Sequence, residues 1–480
     1  MIKPVLLWSD ALILVLLWSV AALVWLARNN EALRGPWRQV MRNPVGAATA
    51  LILSLYVGIG LLDSLHYVER LPDQPGREAQ YSGEVRSALD WVLTPLRENV
   101  EKTYSAPFAT QLYAKETMKG PEGGEIRDFP RLKHGGAHLA DADKDFWPDV
   151  LTRGGLGMLG GLAVWLVVFP LFQRGTEGDL AAPAASAKNK SLMKPLPFGT
   201  LTPLWQRGGY GRAFSSTFLA ILLLAGLLVA LAPYYHVLGT DKVGQDVLYL
   251  SLKSIRTGLL IGSLTTLVML PFALSLGIAA GYFGGRIDDV IQYLYTTLNS
   301  IPGVLLIAAA VLVVQVQIEA HAELFNTAAA RSDVRLLALC GILGVTGWTG
   351  LARLLRAEAL KLRELEFVQA ARAFGVGHGR ILLRHLLPNV MHLVLITVVL
   401  DFSGLVLAEA VLSYVGVGVD PGMISFGNMI NGARLELARE PVVWWQLAAA
   451  FLFMFVLVLA ANLFADQVRD ALDPKSSGRK

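Results

Sequence analysis

Two acidic residues interrupt a long apolar run in the last quarter of the sequence. Asp401 and Glu409 lie within Leu386–Val419, where most other residues are apolar. A carboxylate in lipid is costly, so such residues usually face a pore, a water-filled cavity or a protein partner. Their spacing places them about 80° apart around a helix axis. They therefore predict either a pore-lining role or pairing at an interface with another subunit.

His134 and His138 have a spacing that suits metal binding when both residues lie on one face of a helix. Gly135 and Gly136 stand between them and oppose a helix there, so we predict a loop rather than a metal site. The single cysteine, Cys340, lies in an apolar run. One cysteine excludes an intrachain disulfide and any multi-cysteine zinc or iron–sulfur centre.

The sequence contains no phosphate-binding loop, in which two glycines with four residues between them precede Lys-Ser or Lys-Thr. Gly157 and Gly161 have instead the spacing that is typical of closely packed membrane helices. No nucleophile and base stand at a recognisable spacing. We predict no catalytic residue and no cofactor, so the chain is not expected to be an enzyme, and any chemistry is expected in a partner.

The composition points to a membrane protein. The chain has 480 residues, of which 54% are hydrophobic and 17% charged, whereas an ordinary soluble domain has about 25% charged residues. Its net charge is +4, from 42 basic and 38 acidic residues. Such a mild and dispersed excess argues against nucleic acid as a partner. We predict an all-α polytopic membrane protein.

Nine apolar runs approach the length of about 20 residues that a helix needs to cross a bilayer. They are Ala11–Ala27, Val45–Leu62, Gly154–Phe172, Ala213–Ala232, Thr257–Gly285, Val290–Ile318, Leu336–Ala352, Leu386–Val419 and Pro441–Ala465. The first run is followed by Arg28 rather than by a small-residue cleavage site, so we expect a retained helix and not a signal peptide.

The orientation is predicted from lysine and arginine in the segments between these runs. Residues 28–42 carry four arginines, residues 174–212 and 353–384 carry both lysines and arginines, and all three segments are expected to be cytoplasmic. With nine helices, the N-terminus then lies outside and the C-terminus in the cytoplasm. The long polar insert Tyr67–Val150 is expected outside, and the pattern of Val85–Tyr104 predicts a helix within it.

Three regions follow from this pattern. Residues 1–173 form an N-terminal extension with three helices and the insert at about 67–150. Residues 174–212 form a cytoplasmic linker, which is rich in alanine and proline. Residues 213–474 hold the other six helices.

The segment Leu360–Pro388 predicts two short amphipathic helices joined by a glycine-rich turn at Gly375–Gly379. One apolar face has residues Phe367, Ala370, Ala371 and Phe374, and the second has Ile381, Leu382, His385 and Leu386. The two alanines keep their face shallow, so another protein could approach closely. Arg372, Arg380 and Arg384 could anchor to lipid headgroups or to an acidic partner. The pattern alone leaves open a hairpin that only covers the bundle.

Several motifs in this half resemble those of ABC importer permeases. Gln369-Ala370-Ala371, then Gly375, then Leu387-Pro388 resemble the EAA loop of that family, with Gln369 where the family has Glu. The segments 239–246, 280–285, 412–418, 425–429 and 469–474 are similar to motifs of the C-type permeases of dipeptide and oligopeptide importers, a family that also includes nickel and microcin carriers. The resemblance covers Tyr210–Pro474.

The resemblance implies the six-helix permease bundle of a type I ABC importer, here with three additional N-terminal helices. It implies half of a heterodimeric pore in the bacterial inner membrane, a second permease subunit, two ATPase subunits and an extracytoplasmic solute-binding protein. The loop residues would couple to an ATPase: Gln369, Ala370, Ala371, Gly375, Leu387 and Pro388. Gly375 would allow a sharp turn with positive φ. Members tend to carry acidic residues near Asp401 and Glu409, which favours subunit assembly over substrate contact.

Two other classes of function are compatible with a helical membrane protein. A secondary transporter driven by an ion gradient would predict inverted repeats, and the sequence shows no convincing repeat. A scaffold or sensor would use the insert Tyr67–Val150 to bind a ligand or partner. The sequence does not identify the solute.

Overall fold

A computed structural model describes residues 2–29, 31–71, 80–119, 125–180, 209–321, 323, 325 and 327–472. Most of the predicted linker 174–212 lies outside these residues, as does the end of the 469–474 motif. The predicted all-α polytopic class is confirmed: helices dominate the described chain. Five short strands, which the sequence analysis did not predict, accompany them.

The helices before residue 240 are α1 to α7. They are α1 Trp8–Asn29, α2 Glu31–Arg42, α3 Pro44–Asp63, α4 Ala88–Val92, α5 Thr94–Glu98, α6 Ala142–Leu180 and α7 Gly209–Leu231. The later helices are α8 Val247–Phe283, α9 Gly285–Ser300, α10 Gly303–Ala320, α11 Ala328–Gly347, α12 Thr349–Leu362, α13 Glu366–Ala373, α14 His378–Ile381, α15 Leu387–Val415, α16 Phe426–Arg434 and α17 Trp445–Leu472.

Eight helical stretches of the described chain are long and apolar enough to cross a membrane. They are Pro44–Asp63, Ala142–Phe169, Gly211–Leu231, Val247–Phe283, Gly303–Ala320, Ala328–Leu362, His378–Val415 and Trp445–Ala471. Each corresponds to one of the nine predicted runs. The first run lies in a further helix, α1, which spans Trp8–Asn29.

The predicted span Val290–Ile318 was wrong in its extent. The run divides into α9 and α10, because the chain is extended at Ile301 and Pro302 between them. The residue before a proline is disfavoured in the α conformation, and the proline itself has no N–H to donate. Pro302 therefore begins α10 rather than bending one long helix, and α10 alone has the length and composition of a span.

The helix predicted for Val85–Tyr104 is present only in part, as two short helices on either side of position 93. Strands β1 Ile2–Val5, β2 His66–Arg70 and β3 Tyr81–Ser87 form an antiparallel sheet in the order β1-β2-β3. Helix α4 begins only after Ser87, which forms a capping box with Asp90. A proline at position 95 has no N–H to continue that helix, so a separate short helix, α5, follows. A second hairpin pairs β4 Glu116–Lys119 with β5 Glu125–Asp128.

By contacts, the described chain divides into two compact units. The first unit contains Met1–Arg34, Tyr56–Leu93 and Leu250–Lys480, and the second contains Gly35–Leu55 and Thr94–Tyr249. Each unit includes residues from the N-terminal extension. The division into 1–173, 174–212 and 213–474 remains a prediction from the sequence.

In the first unit, two clusters of buried apolar side chains form the core. One lies between α8 and α11 and includes Leu260, Leu264, Leu336, Leu339 and Leu343. The other lies between α8, α12, α13, α14 and the start of α15, and includes Leu355, Ala359, Val368, Ile381, Leu386 and Val390. The second cluster positions the segment that the sequence analysis singled out.

In the second unit, α6 and α7 pack with their backbones in close contact. A side chain at Gly157 or Gly161 would collide with the backbone of α7 at Gly226 or Leu222. This confirms the close helix packing that the spacing of the two glycines predicts.

Candidate functional site

The segment Glu366–Leu386 forms a helical hairpin, here called the hairpin. Its first arm is α13. Its second arm is α14 followed by a π-helical turn, Leu382–Leu386, which leads directly into α15. Since α15 has the length and composition of a membrane span, the second arm is a continuous extension of a membrane helix.

The turn between the arms depends on Gly375. Its φ is +74°, the conformation that the sequence analysis expected. Its N–H donates to the carbonyl of Arg372 at 3.0 Å, and the N–H of Val376 donates to the carbonyl of Ala371 at 3.0 Å. This pair of hydrogen bonds is the Schellman arrangement, which ends a helix with a left-handed residue. A Cβ at Gly375 would meet nothing within 4 Å, so the backbone conformation and not space favours glycine.

The hairpin is fixed to the bundle through its inner face. Val368, Ile381 and Leu386 are fully buried in the cluster that includes Leu355 and Ala359. Val368 was not predicted to be buried, because it is not one of the four residues of the predicted apolar face. It directly follows Phe367, the first of those four. A polar contact adds to this packing: Tyr282 Oη, at the end of α8, lies 2.8 Å from His378 Nδ1 at the start of α14.

The outer face of the hairpin is exposed and partly apolar. Phe374, beside the turn, is 87% exposed, and Phe367 is 43% exposed. Ala370 is exposed between them. Large apolar side chains that are exposed together indicate a surface for a partner or for lipid. The surrounding basic residues Arg372, Arg380 and Arg384 are exposed as well.

The remaining residues of the predicted coupling loop lie in α13 and at the start of α15. Gln369 is exposed, and its Nε2 donates to the carbonyl of Glu364 at 3.2 Å. Ala371 is half-buried against the core. Leu387 packs against the same cluster, and Pro388 is exposed in the first turn of α15. The structure thus places Gln369, Ala370, Ala371 and Gly375 in the hairpin, with Leu387 and Pro388 directly after it.

A bidentate ion pair connects helices α9 and α12. Arg356 on α12 donates from Nε and Nη2 to the two carboxylate oxygens of Asp288 on α9, at 2.5 and 2.6 Å. Gly281 lies against the backbone of Arg356, where no side chain would fit. The sequence analysis counted Arg356 only as part of a basic segment, and nothing in the spacing identified Asp288 as its partner.

The two acidic residues of α15 have different surroundings. Glu409 is 1% exposed, and it accepts hydrogen bonds from the hydroxyls of Ser413 and Ser425 at 2.8 and 2.9 Å. Ser425 also caps α16 by accepting from the N–H of Asn428. Asp401 is half-buried and has no hydrogen bond or ion pair among the described residues. The structure does not bring the two carboxylates together.

His134 and His138 also have separate roles. His138 Nε2 lies 2.8 Å from Asp149, while the backbone N–H of His134 donates to Glu101 at 2.7 Å. Within the described ranges, no group of three or more His, Cys, Asp or Glu residues is placed to hold a metal ion.

Comparison with known proteins places the hairpin inside a matched region. Residues 273–478 match the profile of the family described as the binding-protein-dependent transport system inner membrane component. The oligopeptide transport system permease protein OppC of Mycobacterium tuberculosis is 32% identical over 241 residues, which cover 50% of this chain and 76% of that protein. OppC of Haemophilus influenzae is 31% identical over 241 residues, covering 50% and 71%. The dipeptide transport system permease protein DppC of Alkalihalophilus pseudofirmus is 32% identical over 240 residues, covering 50% and 72%.

Proposed function

The chain belongs to the family of binding-protein-dependent transport system inner membrane components, and from this premise we propose that it forms half of the pore of an ATP-driven peptide importer. As a member of the family it is a multi-pass permease of the ABC importer class, a transport subunit and not an enzyme. Its relatives are named as oligopeptide and dipeptide transport system permease proteins, which supports peptides or peptide-like solutes as the cargo.

In this proposal the hairpin couples the bundle to an ATPase subunit. Phe374 enters an apolar pocket of the ATPase, Ala370 allows the close approach of its surface, and Gly375 maintains the turn between the arms. The observation that carries the proposal is the 87% exposure of Phe374 on a hairpin whose inner face is anchored in the bundle through Val368, Ile381 and Leu386. Closure of the ATPase pair would move the hairpin, and α15 would move with it, giving alternating access by rigid-body motion.

The partners in this proposal are a second permease subunit, two ATPase subunits, an extracytoplasmic binding protein and the surrounding lipid. Asp401 is the candidate for pairing with the second permease, since it is half-buried without a partner among the described residues. A cation on the second subunit would offset the cost of that carboxylate in the membrane. Glu409 instead holds Ser413 and Ser425 within this chain.

The proposed orientation places the hairpin and the C-terminus in the cytoplasm and the N-terminus outside. The basic residues of 353–384 and of 28–42 support it, because cytoplasmic segments carry the excess of lysine and arginine. The segment Tyr67–Val150 is then outside, on the side from which a binding protein delivers its solute.

The experiment compares Phe374→Ala with Leu435→Ala in the complete transporter. Leu435 is 72% exposed and lies outside the hairpin, so it controls for loss of an exposed apolar side chain. We expect Phe374→Ala to weaken co-purification with the ATPase by about tenfold or more, as for an interface hot spot. Substrate-stimulated ATP hydrolysis would fall in parallel. Equal ATPase binding by both variants would contradict the proposed coupling role.

A further inference from the structure

Two cationic side chains of α8 lie close together near the start of that helix. Lys253 and Arg256 are three residues apart, which places them on neighbouring positions of one helix face. The guanidinium of Arg256 is buried, with 7% of its side chain exposed. A buried cation at the end of a membrane helix requires compensation by negative or hydrogen-bonding groups.

Arg256 receives that compensation from the N-terminal extension. Its Nη2 donates to Asp10 at 2.8 Å and to the hydroxyl of Ser9 at 2.9 Å, and its Nε donates to the hydroxyl of Ser64 at 3.2 Å. Asp10 is itself 2% exposed, and its second carboxylate oxygen lies 2.7 Å from His66 Nδ1. The carboxylate is thus shared between a permease helix and the β2 strand of the extension.

Lys253 is surrounded by carboxylates from the same region. Its Nζ lies 2.8 Å from Asp90 and 3.3 Å from Asp63. Ser87 holds both acids in place, because its hydroxyl donates to Asp63 at 2.6 Å and its N–H donates to Asp90 at 2.9 Å. Asp90 and Asp63 are both buried, so the cluster has little access to water.

The start of α1 also contacts α11. The N–H of Ser9 donates to Asp333 at 3.0 Å, and Leu12 and Ile13 pack against the core cluster between α8 and α11. The extension therefore contacts two permease helices through buried polar groups and an apolar face, which is unlike a module attached only by a linker.

We propose that the extension segments of the first unit, Met1–Arg34 and Tyr56–Leu93, act as a partner within the same chain. Their carboxylates neutralise the two cations of α8, Lys253 and Arg256. The segments form one folding unit with the permease helices and move with this half of the pore. Removing one member of a buried ion pair leaves an uncompensated charge, whereas replacing both members by apolar residues is often tolerated. The extension is then an obligatory part of this permease and not an accessory domain. This inference concerns folding and holds whether or not the hairpin couples to an ATPase.

The test is a double-mutant cycle in the full-length chain, with Asp10→Leu, Arg256→Leu and the double variant. The measurements are the yield of folded protein from membranes and the midpoint of thermal unfolding in detergent. We expect each single variant to lose yield and to melt several degrees below the unsubstituted protein, and the double variant to recover most of both. The control is Lys102→Leu with Glu116→Leu, an exposed pair at 2.7 Å, for which the two losses should be small and additive.

A higher yield and melting midpoint in the Asp10 and Arg256 double variant than in the single variants supports the proposal. If a single variant does not accumulate, its yield of folded protein is compared with that of the double variant. Additive losses in the double variant would overturn the proposal, as would single variants that melt like the unsubstituted protein. Neither readout requires transport, so failure of the proposed transport function would leave this result unaffected.

Discussion

The hydroxyl of Tyr282 lies 2.8 Å from His378 Nδ1, and this contact fastens the second arm of the hairpin to the end of α8. Tyr282 lies in the last turn of α8, and His378 begins α14. Their rings also pack edge to face, with centroids 5.6 Å apart. The hairpin is therefore attached to two membrane helices, α8 through this contact and α15 through the continuous backbone.

Removing the hydroxyl should loosen the hairpin without changing its apolar packing. We expect Tyr282→Phe to lower the free energy of unfolding by about 1 kcal/mol, since one partly buried hydrogen bond is lost. Amide hydrogen exchange should become faster in α14. Tyr293→Phe is the control, because Tyr293 is 72% exposed. Unchanged exchange in α14 would show that the contact does not hold the hairpin.

The turn gives a prediction with a control in the same hairpin. Gly375→Ala forces an L-residue to positive φ, which destabilises the turn by about 1–2 kcal/mol. Gly379→Ala meets nothing within 4 Å and has no positive φ, so it should be neutral or slightly stabilising. Chemical denaturation measures the stabilities, and substrate-stimulated ATP hydrolysis should fall only for Gly375→Ala. Similar behaviour of the two variants would refute a conformational role for Gly375.

Ser425 takes part in two hydrogen bonds that stabilise the loop after α15. It donates to Glu409 and accepts from the N–H of Asn428 as the cap of α16. Ser425→Ala should cost about 1–2 kcal/mol, within the range for loss of a helix cap. Ser275→Ala is the comparison, since Ser275 is exposed and bonds only within its own helix. A thermal melt in which both variants match the parent protein would contradict the assigned role.

A buried histidine between two carboxylates gives the second unit a pH dependence. Burial acts to lower the pKa of His236, but hydrogen bonds to Asp246 and Glu101 outweigh it and raise the pKa to about 9. Burial acts to raise the pKa of Glu101, but its bonds to His236 and to three backbone N–H groups, at residues 133–135, lower the pKa to about 2.

The sign of the effect differs for the two groups. His236 contributes its full stabilisation below its ordinary pKa of 6.5, and the contribution is lost as the pH rises through about 9. Glu101 contributes above its ordinary pKa of 4.5, and that contribution is lost as the pH falls toward about 2. Amide hydrogen exchange around residues 101–136 should therefore accelerate between pH 7 and pH 9. The acceleration should exceed the rise in the intrinsic exchange rate of amides over the same pH range. His236→Gln should abolish this excess, and the exposed His321→Gln should not.

Much of the architecture could be predicted because length and apolarity determine a membrane span locally. Eight of the nine runs became such helices, and the glycine turn at Gly375 appeared where the helical periodicity stopped. The break at Pro302 was missed because no charged residue interrupts the run on either side of it. The β1-β2-β3 sheet was missed because its strands are short and β1 pairs with a strand that lies far from it in sequence. The same holds for Asp10 and Arg256, which are separated by 246 positions.

The central claim is that the exposed tip of the hairpin contacts an ATPase subunit. The most direct measurement places a photoreactive phenylalanine analogue at position 374 in the assembled transporter and identifies the protein that it labels. The account predicts that position 374 labels the ATPase and that the analogue at position 435 does not. Labelling of lipid alone from position 374, or equal labelling of the ATPase from both positions, would contradict it.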